Sequence, residues 1–135
     1  MRNVLLTLIC CNFFFAKMPS TAQPLASLKW EKRALIVSLG DSDSHLLATL
    51  NKFRETNQCE LNDRNIQIII YTDYSNTEYA TPEFIHKKQV FWLVGYDGSV
   101  KGFSDDQKLL TKLFSIIDQM PIRKTEIEKS KSSCE

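Results

Sequence analysis

Two almost unbroken apolar runs, "ALIVSL" (Ala34–Leu39) and "IQIIIYT" (Ile66–Thr72), flank one segment of helical spacing. That arrangement constrains the fold more than any other feature. Continuous apolar runs suit strands covered on both faces. Gly40 ends the first run, and Asp41, Ser42 and Asp43 are residue types that open helices. Leu46, Leu47, Leu50 and Phe53 then recur every three or four residues, which predicts a helix over about 43–57. Asn62 and Asp63 turn the chain into the second run. Strand, helix and strand in this order predict a right-handed parallel crossover.

The second half reads differently. "QVFWLVGYDGSVKGF" predicts a hairpin, with a strand over Val90–Val94, a two-residue Asp97-Gly98 turn and a return strand over Ser99–Phe103. Ser104 and Gln107 have the spacing of a capping box. Leu109, Leu110, Leu113, Phe114, Ile116 and Ile117 form an amphipathic helix that ends before Met120-Pro121. Between the halves, Thr81-Pro82 predicts a short helix near 82–87. The order is β-α-β, then β-β-α. This is an α/β chain with a four-stranded mixed sheet and flanking helices, the thioredoxin-like layout.

The N-terminus stands apart. Arg2 precedes an apolar stretch from Val4 to Ala16, shorter than the about 20 residues a membrane anchor needs. Ser20 and Ala22 place small residues at −3 and −1 of a cleavage point between Ala22 and Gln23. The expected organisation is a signal peptide over 1–22, a domain over 23–122 and a polar, partly disordered tail over 123–135. The chain is then exported, periplasmic or secreted, with a lipoprotein anchored at Cys11 as the alternative. Losing Arg2 and Lys17 leaves 15 basic residues against 16 acidic ones. Such a balance argues against nucleic acid as a partner. The mature chain has no expected membrane span, and the expected partner is an envelope or extracellular protein.

Two cysteines remain after export, Cys59 and Cys134. Spacing alone leaves their pairing open. There is no CxxC pair, and the strand-to-helix corner Gly40–Ser44 holds no sulfur. Asp41, Asp43 and His45 lack the third and fourth partners a divalent metal needs. Ser42, Ser44 and His45 are adjacent loop residues without the orienting geometry of a hydrolase. No catalytic residue, metal or cofactor is assigned.

"WEKRALIVSL", "LNDRNIQIIIYT", "FWLVGYDGSVKGF" and "IDQMPIRKTEIEK" occur in that order. Together they resemble the bacterial branch of the DUDES-type domain, domain of unknown function 4174. This domain is related to domains in sushi-repeat and coiled-coil extracellular matrix proteins. The resemblance spans about Leu28 to Glu128. It implies a thioredoxin-like fold and an exported location, and brings no established activity.

The polar positions within these segments form the candidate binding set: Arg33, Arg64, Asp97, Lys101, Asp118 and Arg123, with Glu126 beside them. Arg33 leads into the first strand and Arg64 into the second, so parallel pairing puts both at one sheet edge, flanking one acid. One reading is an ion-pair network that clips the C-terminal segment to the sheet. The other is an arginine-lined pocket for an anionic ligand. Near-equal numbers of acids and bases favour the clip. Among the aromatics, Trp30, Phe91, Trp92 and Phe103 are expected in or near the core. Tyr71, Tyr74 and Tyr79 have two readings, an exposed contact surface in the irregular link or, more commonly for such tyrosines, cover for a sheet edge. The favoured function is a non-catalytic binding or interaction module. The alternative is a thiol oxidoreductase or peroxiredoxin-like enzyme using Cys59, which lies far from the helix N-terminus that activates a thiol.

Overall fold

The computed structural model describes residues 22–86, 90–132 and 134. The expected signal peptide falls, but for Ala22, outside the described residues. The elements run β1 (Arg33–Leu39), α1 (Ser44–Thr56), α2 (Gln58–Asp63), β2 (Ile66–Thr72), β3 (Phe91–Val94), β4 (Val100–Ser104), α3 (Lys108–Asp118) and α4 (Pro121–Lys129). The four strands form one sheet in the order β2-β1-β3-β4. β1 and β2 are parallel, with Arg33 opposite Ile66 and Leu35 opposite Ile68. β3 pairs antiparallel with β1 and with β4. The mixed sheet with flanking helices is the α/β architecture the sequence implies. Its strand order is compatible with a thioredoxin-like layout.

The continuous apolar runs follow from position. β1 is a central strand covered on both faces. Leu35, Val37 and Leu39 face Leu50 of α1, Leu61 of α2, and Leu113 and Ile117 of α3. Ala34 and Ile36 face the other way, into a cluster with Ile69, Trp92, Val94, Tyr71 and Ile85. Burying one such side chain fully contributes about 1.5–3 kcal/mol. All three helices named here pack on one face. The opposite face is covered by two 3-10 turns, Leu25–Leu28 and Glu83–His86, and by a bridge between Gln23 and Tyr79. Among the described residues no helix is long and apolar enough to cross a membrane.

Several local expectations change. The hairpin turn is longer than two residues. The Gly98 N–H donates to the Gly95 carbonyl at 3.0 Å, and the Gly95 N–H donates to the Ser99 carbonyl at 3.0 Å. Gly98 takes φ +79°, the left-handed bulge position that glycine fills without strain. Asp97 Oδ1 accepts from the Ser99 N–H at 3.0 Å and so organises this turn. The expected Ser104–Gln107 capping box does not form. Asp106 Oδ1 accepts from the Lys108 N–H at 2.8 Å, and Ser104 Oγ accepts from the Leu109 N–H at 3.3 Å. The Gly40–Ser44 corner is also closed differently. Asp43 Oδ2 accepts from the Gly40 N–H at 2.8 Å, behind it, and not from the first turn of α1.

The aromatic expectations divide. Phe91 and Trp92 are buried, but Trp30 and Phe103 are 62% and 60% exposed. Trp30 stands before β1, and Phe103 lies on the edge strand β4. Tyr71 and Tyr79 are buried and only Tyr74 of the three is exposed, because the link folds back over the sheet. Tyr71 donates to the Ala80 carbonyl at 2.9 Å, and its burial pushes its pKa up to about 12. The stretch expected to be tail from residue 123 is helical as far as Lys129. It lacks an apolar stripe, so periodicity could not reveal it. What holds it is charge.

Candidate functional site

Parallel pairing does bring Arg33 and Arg64 to one edge. Arg33 opens β1 and is wholly buried. Arg64 precedes β2 and is 9% exposed. They do not flank one acid, however. Arg33 Nη1 donates to the Arg64 carbonyl at 2.7 Å and to Glu126 Oε2 at 3.2 Å. Arg64 presents Nε and Nη2 side by side to Asp118, at 2.9 and 2.7 Å. Two guanidinium groups repel, and the carboxylates between them and a third arginine offset that repulsion.

That third group is Arg123 of α4, 4% exposed. It donates to the Asp63 carbonyl at 3.0 Å, to Asp118 Oδ1 at 3.3 Å and to Glu126 Oε2 at 3.3 Å, and it pairs with the Asp63 carboxylate. It therefore bridges the end of α2, the end of α3 and its own helix. Arg64 also pairs with Glu60, one helical turn earlier. Three arginines and four acids lock α4 beneath the sheet edge.

The electrostatics agree with the geometry. Burial alone would raise the Asp118 pKa. Hydrogen bonds and charge from Arg64 and Arg123 outweigh it and hold the carboxyl below its ordinary range. Burial works against the charge on Arg64 and Arg123, but their carboxylate partners reverse this and raise both. Aromatic rings complete the set. Arg33 Cζ lies 4.2 Å from the Tyr96 ring centroid and Arg64 Cζ lies 4.7 Å from that of Phe114.

Asp97 and Lys101 lie outside this network. They form their own pair on the hairpin at 2.8 Å, partly exposed. Lys101 holds the Asp97 carboxyl well below its ordinary range. Both nevertheless line a shallow cleft of about 280 Å³, and Arg33 lines it with them. Trp30, Gly95, Tyr96, Met120, Pro121 and Ile122 complete the lining. A larger groove of about 630 Å³ lies between the two 3-10 turns and the hairpin turn.

Sequence reasoning missed Glu60, Asp63, Tyr96 and Asn65. Glu60 carried a readable signal, since it stands four residues before Arg64. The others act across the fold and had none. Asn65 donates to the Glu31 carbonyl at 2.7 Å and to Tyr96 Oη at 3.0 Å, tying the ring in place over Arg33.

The two cysteines left open by the sequence are joined. Cys59 on α2 and Cys134 beyond α4 form a disulfide, with a Cα–Cα distance of 5.6 Å. Among the described residues no group of three or more His, Cys, Asp and Glu is placed to hold a metal. Asp41, Asp43 and His45 are therefore not drawn into a metal-ligating cluster.

A family model described as a domain of unknown function (DUF4174) matches residues 24–126, and the chain belongs to that family. Neither a curated protein nor a solved structure matches the chain.

Proposed function

We propose, taking membership of this family as the premise, that the protein is an exported, thioredoxin-like module that binds a partner and does not catalyse. The observation that supports it is the Cys59–Cys134 disulfide. It staples α2 to the C-terminal segment, and neither of its cysteines lies at the strand-to-helix corner. A disulfide of this kind belongs to an oxidising compartment, in keeping with export. The strand-to-helix corner adds to the reading, since it is closed by Asp43 and holds no sulfur. The resemblance to domains of extracellular matrix proteins points the same way, toward an envelope or extracellular partner.

The alternative, a thiol oxidoreductase or peroxiredoxin-like enzyme using Cys59, is tested directly. Insulin-disulfide reduction and peroxide consumption are assayed with wild type and with Cys59→Ser. The expected result is no cysteine-dependent turnover in either assay. Turnover that disappears in Cys59→Ser overturns the binding reading. Mass spectrometry of the exported protein is expected to show a chain beginning at Gln23, and a diacylated chain beginning at Cys11 would replace the soluble form with an anchored one.

A further inference from the structure

Arg33 is the least exposed charged residue described, and only one of its three nitrogens is used. Nε and Nη2 are buried and have no hydrogen-bond partner among the described residues. Leaving buried donors unmade costs about 1–3 kcal/mol. Arg64 shows what this edge is for: there the same two nitrogens grip both oxygens of Asp118. The equivalent edge of Arg33 has no partner, and Arg33 is among the residues that line the 280 Å³ cleft.

A second feature converges on the same cleft. Met120, Pro121 and Ile122, at the start of α4, line it. α4 runs nine residues, and no side chain caps its N-terminus. Pro121 opens the helix without an N–H, and the other first-turn N–H groups with the positive end of the helix dipole favour an anion there. The rest of the lining is aromatic at Trp30 and Tyr96 and polar at the Asp97–Lys101 pair. Trp30 and Ile122, 62% and 45% exposed, stand at its open side. Trp30 is held there in a left-handed conformation, φ 66°, by a 2.7 Å bond from its N–H to the Tyr96 carbonyl.

We infer that this cleft binds a small apolar or aromatic carboxylate, with both carboxylate oxygens on Nε and Nη2 of Arg33 and the tail against Trp30 and Ile122. Glu126 already sits on Arg33 Nη1, and Asp97 and Lys101 in the lining neutralise each other, so a singly charged planar anion fits better than phosphate. The cleft lies just below the about 300 Å³ typical of the smallest ligand pockets, which limits the ligand to a few functional groups. Since Arg33 is only 1% exposed in its side chain, binding requires Trp30 or Ile122 to yield slightly at the open side. The inference rests on the non-catalytic reading above and adds a small-molecule ligand to the partner named there.

The test uses the disulfide-bonded mature chain, with phenylacetate as the probe and nuclear magnetic resonance as the readout. Saturable shifts are expected at the Arg33 Nε–H and Trp30 indole signals. Neutral 2-phenylethanol and inorganic phosphate should leave both signals in place. Ile122→Glu, a substitution at an exposed position, should weaken phenylacetate binding at least tenfold while the protein stays folded. Arg33→Lys keeps the charge but removes the paired edge, and should weaken it as much. Absence of saturable shifts, equal shifts with the neutral alcohol, or equal shifts with phosphate overturns the assignment. Cysteine-dependent turnover in the redox assays would instead sink the non-catalytic reading and leave these signals unaffected.

Discussion

Replacing Arg123 with alanine should destabilise the protein by about 3 kcal/mol, and the structure shows where that comes from. Glu126 would keep Arg33, and Asp118 would keep the paired nitrogens of Arg64. Asp63 would lose its principal partner, since Arg64 Nη1 lies at the limit of pairing, 4.0 Å away. Its side chain is 14% exposed, so water replaces the lost pairing only in part. Breaking a fully buried pair costs about 3–5 kcal/mol, and an exposed one about 0–1. Asp63 lies nearer the buried limit. The Asp63 carbonyl also loses a donor, worth about 1 kcal/mol. For a domain of this size the melting temperature should fall by about 10 °C. Circular dichroism melts at pH 7 and urea titrations check it, with an unchanged slope showing that stability alone moved. Arg123→Met, which keeps the stem packing, should recover about a third of the loss. Adding Asp63→Asn to Arg123→Met should recover about 1 kcal/mol more, because the uncompensated buried charge is removed. A loss under about 1 kcal/mol in both single variants refutes the view that Arg123 holds α4 in place.

Three more outcomes follow from the same structure. Asp118 has a folded pKa held below its unfolded value of about 3.9, so its contribution is present above about pH 4 and lost as pH falls further. The stability gap between wild type and Asp118→Asn should therefore narrow below that pH; a constant gap in acid-titration melts contradicts the pairing. Cys134→Ser opens a cross-link across 75 residues and should cost about 2–4 kcal/mol, read as the difference between oxidised wild type and the variant. A matching melting temperature would show that the bridge does not constrain the chain. Gly98→Ala brings its Cβ into ordinary contact with the Lys29 side chain, 3.8 Å away, but must adopt φ +79°, and should lower stability by about 1 kcal/mol with the fold retained; no change in melting temperature would place the turn in another conformation.

The candidate site was legible only by residue type. Arg33, Arg64, Asp118 and Arg123 could be picked out and do meet, but which acid each arginine takes could not. Arg33 and Glu126 stand 93 residues apart, and Arg123 and Asp63 stand 60 apart. Asp97 and Lys101 were grouped with them, yet they pair with each other because the hairpin turn holds them four residues apart on one strand end. The unpartnered edge of Arg33 could not be read either. Any arginine offers five donors, and only packing decides which remain unused.

The sequence by itself determined the strands, the amphipathic helix α3 and the position of the hairpin. Those depend on periodic burial and on turn chemistry that each segment carries within a few residues. Tertiary structure decided the rest. α4 has no apolar stripe, and it forms where Arg123 and Glu126 find charges from β1, α2 and α3. Cys59 meets Cys134 only because α4 returns the tail toward α2. Tyr71 is buried and Trp30 exposed because of what the link and the hairpin cover, a property of distant segments that no local pattern encodes.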